Sequence, residues 1–391
     1  MDSNLDVLIY AHDGRGLGHV SRSVGIGLAL RRLFPDLSVL LVTGCASTAE
    51  LIGDGSLDWI KLPSYKTNVS SGKSSGVKGD SNIDDKLLGE LRAVNIRDIV
   101  ASYQPKVFLA DHTPQGKHKE LLPSLNVSPA TRRVLGIRAV VGDVGKVWSE
   151  LAQDVFKEGY SNILWYGDTS VAGSAELARL ENHYGVRPHE AGYVSRMAEL
   201  RALQSSNPDV EKLAGVVSIP WSGEGTAVLL DKLAQTLSEI GAEHGNWNIY
   251  MNLREPGAVA GISCFNGLKN VTFKQVGPQF LRDLGGSRSA LIYGGYNSLT
   301  DVMVCGVPSV VLLRGMKDNE QEEHGAVLAD KSSVIQGVFS DQDVSVAELR
   351  ETLCVCLETV VEEVSVNLNG AAHAARYLAA LTGVCDVDCE S

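Results

Sequence analysis

Short apolar runs alternate with amphipathic stretches of helical length, and the series runs through the chain twice. The first series has strand candidates at Val7–Ala11, Val39–Thr43, Trp59–Leu62, Val107–Ala110, Val134–Ile137 and Ile163–Tyr166, with helical pattern at Val20–Leu33, Lys86–Ser102 and Val144–Phe156. The second has strands at Val216–Pro220, Ile249–Leu253, Val271–Val276, Ala290–Tyr293 and Val310–Leu313. Its helices are Ala227–Ile240, Leu299–Cys305, Glu322–Ala329 and Val346–Val361, and a last one, Ala371–Leu381, closes the chain. Strands separated by helices pair in parallel, and a parallel sheet needs helices on both faces. The polar stretch from Arg201 through Asp209 reads as a linker between the two series. The chain therefore reads as two Rossmann-like, doubly wound α/β domains, residues 1–205 and 206–391, with the last helix a candidate to pack back on the first. A length of 391 residues also favours two cores over one.

One segment departs from the pattern. Lys66 to Asp84 is rich in Ser, Gly and Lys and poor in large apolar residues. It reads as a loop, either a plain surface excursion or a lid over a ligand.

A formal net charge of -12 argues against a broad nucleic-acid or anionic-membrane surface, because both need clustered Lys and Arg. It leaves room for a small anion pocket built from backbone N–H groups at a helix start. The opening MDSNLDVLIYAHDG carries no basic start followed by a long apolar run, and no run is long enough for a membrane span. The seven cysteines show no paired spacing, which fits free thiols and a cytoplasmic setting and gives no metal-ligand pattern.

Three motifs carry candidate chemistry. Gly16-Leu17-Gly18-His19 follows the first strand and opens a helix. Its glycines admit close backbone approach, and the helix start disfavours an imidazolium, so His19 is a candidate general base. The competing reading is a histidine that faces solvent or caps the helix. Tyr293-Gly294-Gly295-Tyr296-Asn297-Ser298 then leads through Leu299 and Thr300 to Asp301. Exposed N–H groups at this helix start suit a diphosphate, and an acid one turn in suits the hydroxyls of a ribose. A capped helix with an acid placed for its dipole explains the same residues. Gly306-Val307-Pro308 turns into a strand, beyond which lie Glu320, Gln321 and Glu322. These suit sugar hydroxyls, or equally a charged first turn.

Taken together, the motifs resemble the glycosyltransferases of the GT-B fold. The branch is the one that includes the N-acetylglucosaminyl transferase of peptidoglycan synthesis and related predicted bacterial glycosyltransferases. The resemblance spans nearly the whole chain. In the first half it rests on Tyr10-Ala11-His12-Asp13 with Gly16-Leu17-Gly18-His19, on Ala110-Asp111-His112-Thr113-Pro114 and on Gly192-Tyr193-Val194. In the second it rests on Gly294 to Ser298, Gly306-Val307-Pro308 and Glu320-Gln321.

The resemblance implies two domains facing across a cleft, with a nucleotide-sugar donor, usually a UDP-sugar, on the second. Gly294, Gly295, Tyr296, Asn297 and Ser298 then meet the diphosphate. Asp301 takes the place of the family's ribose-binding acid, usually a glutamate, and Glu320, Gln321 and Glu322 hold the sugar. Gly18, Gly223, Gly225 and Thr226 line the phosphate approach, although Trp221 and Glu224 depart from a plain glycine run there. Arg254 balances charge, and Val276 and Phe280 wall the base. An acceptor belongs on the first domain, with His19 as base, Asp111 as its orienting carboxylate, and His12, Asp13, Gly16 and His112 beside it; His12 and Asp13 are rival bases. The expected reaction is inverting, metal-independent transfer to a small-molecule hydroxyl or amine, with no cofactor besides the co-substrate. Nucleotide-sugar hydrolysis, non-hydrolysing epimerisation and a non-catalytic binding subunit are the alternatives. A homodimer is left open.

Overall fold

A computed structural model describes residues 5–12, 17–70, 73–78, 81–139, 152–203, 212–220, 225–254, 261–314, 320–362 and 364–383. These fall into two compact units, each with its own parallel sheet. The first comprises the described residues of Met1–Val140, Val144–Leu203 and Asn367–Ser391; the second comprises those of Gln204–Val366.

The first unit holds β1 (Leu5–Ala11), β2 (Val39–Thr43), β3 (Asp58–Lys61), β4 (Lys66–Ser70), β5 (Lys73–Val77), β6 (Pro105–Asp111), β7 (Arg132–Arg138), β8 (Asn162–Tyr166) and β9 (His189–Glu190). Seven of these form one sheet in the order β3-β2-β1-β6-β7-β8-β9. The central pair is in parallel register, Val7 opposite Val107 and Tyr10 opposite Ala110. Both faces of the central strands are covered, so their sequences are continuous apolar runs rather than alternations.

The second unit holds β10 (Leu213–Ile219), β11 (Trp247–Met251), β12 (Val271–Gln275), β13 (Ser287–Tyr293), β14 (Ser309–Leu313) and β15 (Ile335–Ser340). Their order is β12-β11-β10-β13-β14-β15, again all parallel. In each sheet the first strand of the unit lies centrally and the order reverses beside it, at β1/β6 and at β10/β13. That reversal opens a crevice at the carboxyl ends of the strands, where ligands of such sheets bind.

Among the helices, Gly18–Leu33 follows β1 and Thr226–Ile240 follows β10. The helix Gly370–Leu381 belongs to the first unit and packs on Gly18–Leu33. Its seat is the Gly192-Tyr193-Val194 segment. Tyr193 N–H donates to Asn367 O at 2.8 Å, and Gly370 N–H donates to Tyr193 O at 3.1 Å. Asn367 N–H reaches the buried Asp168 Oδ2 at 2.7 Å. Gly192 has φ +91, and a Cβ there would lie 2.6 Å from the Asn367 side chain. Left-handed backbone and close approach both require glycine at that point.

Several expectations are corrected. Lys66–Ser70 and Lys73–Val77 pair as an antiparallel ribbon, with Lys66 opposite Val77 and Ser70 opposite Lys73, where a loop was expected. Backbone pairing orders a ribbon without the apolar content that a core demands. Arg201 to Leu203, read as the start of the linker, close the helix Arg196–Leu203, while 204–210 lie outside the described residues. The helix expected over Val144–Phe156 is described only as Gln153–Gly159. The strands β9 and β15 and the helix Ser174–Tyr184 were not anticipated.

Candidate active site

In the first unit β1, β6 and β7 are neighbours, so the residues that leave their carboxyl ends meet. Those residues are His12 after β1, Asp111 and His112 at and after the end of β6, and Arg138 at the end of β7. The helix Gly18–Leu33 starts beside them and adds His19 in its first turn and Arg22 one turn on. His19 Nδ1 lies 2.5 Å from Asp111 Oδ2. Arg22 Nη2 donates to the same oxygen at 3.0 Å and reaches Oδ1 at 3.4 Å. The His12 and His19 rings are 4.0 Å apart, and those of His19 and His112 are 5.4 Å apart.

Asp111 is 1% exposed and Arg22 3%, whereas 21% of the His19 side chain reaches solvent. With Asp111 accepting from Nδ1–H, the tautomer leaves a lone pair on Nε2. A carboxylate that orients an imidazole in this way leaves its outer nitrogen as a proton acceptor. Burial first, then Arg22 and Arg138, holds His19 well below its usual range, which keeps the imidazole neutral at pH 7. Burial and then the neighbouring His19 push His12 down to about 3, and burial lowers His112 as well. His12 Nδ1 and His112 Nδ1 are buried without a hydrogen-bond partner among the described residues. Among the described residues no carboxylate is hydrogen-bonded to His12, whereas Asp111 is paired with His19. Asp13 and Gly16 lie outside the described residues.

The backbone beneath the cluster is held in place. His112 adopts φ +79, a costly region for a residue with a Cβ, and its N–H donates to Gly136 O at 2.7 Å. The loop that follows is tied to the core through Glu120, which is fully buried. Arg92 donates to it through Nε at 2.6 Å and Nη2 at 3.0 Å, Tyr65 donates at 2.8 Å, and Tyr10 donates from β1. Both carboxylate oxygens are satisfied, the condition under which a buried ion pair stabilises.

The second unit presents a different surface. Gly225, with φ +88, and Thr226 start the helix after β10. Gly294 and Gly295 link β13 to the helix Tyr296–Cys305, which carries Tyr296, Asn297 and Ser298 in its first turn and the mostly buried Asp301 in its second. A Cβ on Gly294 would press on Leu313 at 2.9 Å and Val311 at 3.2 Å, whereas one on Gly295 would meet open space. Gly295, at the N-cap, has no side chain with which to cap this helix. The exposed Arg254 follows β11, Val276 follows β12, and Phe280 sits on the helix Gln279–Gly285 with its ring edge to Tyr250. Glu320, Gln321 and Glu322 open the helix after β14, with Gln321 half-buried and Glu322 exposed. Each of these residues follows the carboxyl end of a strand in one sheet. Gly223 lies outside the described residues.

Sequence reasoning missed Arg22, Arg138 and Arg314. Arg314 follows β14, with its guanidinium 5.0 Å over the Tyr293 ring and Nε 3.5 Å from Asp341. Tyr293 donates to the same carboxylate at 3.0 Å. Burial pushes the Tyr293 phenol up to about 12 against the pull of Arg314. The first of the three was within reach, since Arg22 stands three residues after His19 and shares its helix face. Among the described residues no group of three His, Cys, Asp or Glu is arranged to hold a metal ion, and no helix is long and apolar enough to cross a membrane.

No family model and no curated protein matches the chain in sequence. Solved structures match it along its length. A UDP-GlcNAc 2-epimerase from Methanocaldococcus jannaschii aligns at 12% identity over 96% of this chain and 100% of its own, with a TM-score of 0.58. The glycosyltransferase SnogD from Streptomyces nogalater aligns at 17% identity over 96% and 100%, with a TM-score of 0.54. The glycotransferase of kitacinnamycin aligns at 15% identity over 97% and 96%, with a TM-score of 0.55. Two parallel sheets that each reverse beside their first strand, matched end to end by such structures, give this chain the GT-B fold.

Proposed function

We propose that the protein transfers a sugar from a nucleotide diphosphate sugar, of the UDP-sugar class, to a hydroxyl or amine of a small molecule. The observation that carries this reading is the His19–Asp111 pair at the carboxyl end of the first sheet, with its oriented Nδ1–H and a neutral imidazole. His19 Nε2 takes the proton of the acceptor. The acceptor oxygen or nitrogen forms its bond to the anomeric carbon as the bond to the diphosphate breaks, so the configuration inverts. The departing diphosphate gains charge, and the N–H groups of Tyr296, Asn297 and Ser298 stabilise it, a part that a divalent cation plays in other transferases. The second unit thereby holds the donor and the first supplies the base. The partners of this reading are the nucleotide sugar and a small diffusible acceptor, with no nucleic acid and no strong membrane signal.

The same two ends serve hydrolysis or epimerisation if water or a sugar proton replaces the acceptor, and solved structures sharing the fold include UDP-GlcNAc 2-epimerases. Incubation of the protein with UDP-GlcNAc, with and without a panel of small acceptors, separates these. UDP release that depends on acceptor supports transfer. Free sugar without acceptor means hydrolysis, a C2 epimer means isomerisation, and UDP binding with no turnover means a binding subunit. Replacing His19 with Ala lowers turnover by about 10²–10⁴-fold and leaves UDP affinity within a few-fold. Turnover equal to the parent's removes His19 from the base role.

A further inference from the structure

Asp111 is shared, and the sharing has a chemical consequence. A carboxylate alone beside a histidine orients the ring but also stabilises imidazolium, so orientation and raised basicity normally arrive together. Here one oxygen, Asp111 Oδ2, receives both His19 Nδ1 at 2.5 Å and Arg22 Nη2 at 3.0 Å. Arg22 Nη2 is also 3.0 Å from His19 Nδ1. Two donors that converge on one acceptor cannot bond each other, so the Arg22–His19 approach is a contact between a fixed cation and the edge of the imidazole.

Arg22 holds that place for structural reasons. It lies three residues after His19 on the same helix, and helical side chains lean towards the N-terminus, which brings the guanidinium back over the first turn. It is 3% exposed, and its Cζ lies 6.0 Å from the centre of the Tyr166 ring. Among the described residues, the other groups facing His19 are Arg138 from the end of β7, His12 after β1 and His112 after β6. Asp111 is the anion hydrogen-bonded to the ring, and Arg22 already engages it.

We propose that Arg22 is a positioning residue that uncouples the two effects of Asp111: it neutralises the carboxylate so that Asp111 orients the His19 ring without turning it into an imidazolium. This rests on His19 being the base, but the geometry can be tested without turnover. An imidazole kept neutral retains its Nε2 lone pair below the pH at which an ordinary carboxylate-paired histidine is protonated. The protein keeps its base in acidic solution, at the expense of basicity.

The test is an NMR titration of the full-length protein labelled in its histidines, with the His19 signal assigned by its loss in His19→Gln. Arg22→Met, Arg22→Gln and Arg22→Lys are titrated alongside the parent. Having two neutral variants keeps the test standing if one of them fails to fold. The His19 midpoint is expected to rise by about one pH unit or more in the neutral variants and to stay near the parental position in Arg22→Lys. A midpoint in the neutral variants that stays put or falls overturns the proposal. Where turnover is measurable, the acid limb of kcat/KM is expected to move up with the NMR midpoint, and activity at pH 8 is retained within a few-fold in Arg22→Lys. A uniform loss at every pH with an unmoved midpoint marks Arg22 as merely structural. If His19→Gln keeps full turnover, the base assignment fails while the Arg22 proposal is still judged by the titration.

Discussion

The carboxyl ends of the two sheets are built in opposite ways. At the first, side chains dominate: two arginines, one aspartate and three histidines gather where β1, β6 and β7 end, and most of that charge is out of water. At the second, the central feature is backbone, a helix start after two glycines, with the buried Thr226 and Asp301 and the more exposed Arg254, Gln321 and Glu322 on the segments that follow the strands. A proton acceptor needs a specific atom with a tuned affinity for hydrogen, which only side chains provide. A diphosphate needs several N–H donors converging on diffuse charge, which a helix start provides without any particular side chain. The repeated fold thus offers two equivalent crevices, and on the proposed reading their local chemistry suits them to different work.

The sharpest way to break this comparison is to remove the carboxylate at the first end. Asp111→Ala strips Arg22 and His19 of their common partner. It is expected to destabilise the first unit by about 3–5 kcal/mol in urea unfolding and to lower turnover at least as far as His19→Ala does. A variant that unfolds at the parental urea midpoint contradicts the picture of a buried, shared charge.

The two glycines of the second end give a finer contrast. Gly294→Ala drives a Cβ onto Leu313 and Val311 and is expected to cost about 1–3 kcal/mol of stability. Gly295→Ala points its Cβ into open space and is expected to change stability by no more than about 0.5 kcal/mol, while weakening UDP binding. Equal losses of stability at both positions would show that Gly295 is packed rather than open to ligand.

The last contrast concerns acid. His12, His19 and His112 all bind protons less readily folded than unfolded. Their contribution is therefore present above the unfolded value of 6.5 and drains away as the pH falls below it, at about 1.4 kcal/mol per pH unit for each histidine. In the second unit burial would raise Asp283, but hydrogen bonds from Lys274, Tyr250, Gln279 and Asn248 outweigh it and hold the carboxyl low. Its loss begins only below about 3.8. Between pH 6.5 and 5, amide exchange corrected for intrinsic rate is expected to quicken in β1 and β6 before β10 and β13. The reverse order would refute the contrast.

Much of the fold was legible because central parallel strands are buried on both faces, and Val39–Val42 or Val310–Leu313 then appear as unbroken apolar runs. The strand β15 was not, since IQGVFS mixes polar and apolar residues at half-buried positions, and a two-residue strand such as β9 has no period to read. The ribbon of Lys66–Ser70 with Lys73–Val77 escaped because its order comes from backbone pairing rather than apolar content. His19 and Asp111 were legible as residues at the ends of a glycine turn and a strand. Arg22 was overlooked, although its spacing from His19 put it on the same helix face, because an arginine inside an amphipathic helix reads as a solvated side chain.

The measurement that bears most directly on the division of labour is calorimetric titration of UDP into the parent, His19→Ala and Gly295→Val. The account predicts that UDP binds the parent and His19→Ala alike, and that Gly295→Val binds it at least about tenfold more weakly while melting at the parental temperature. Equal affinity in the parent and Gly295→Val, or no binding by any of the three, would contradict it.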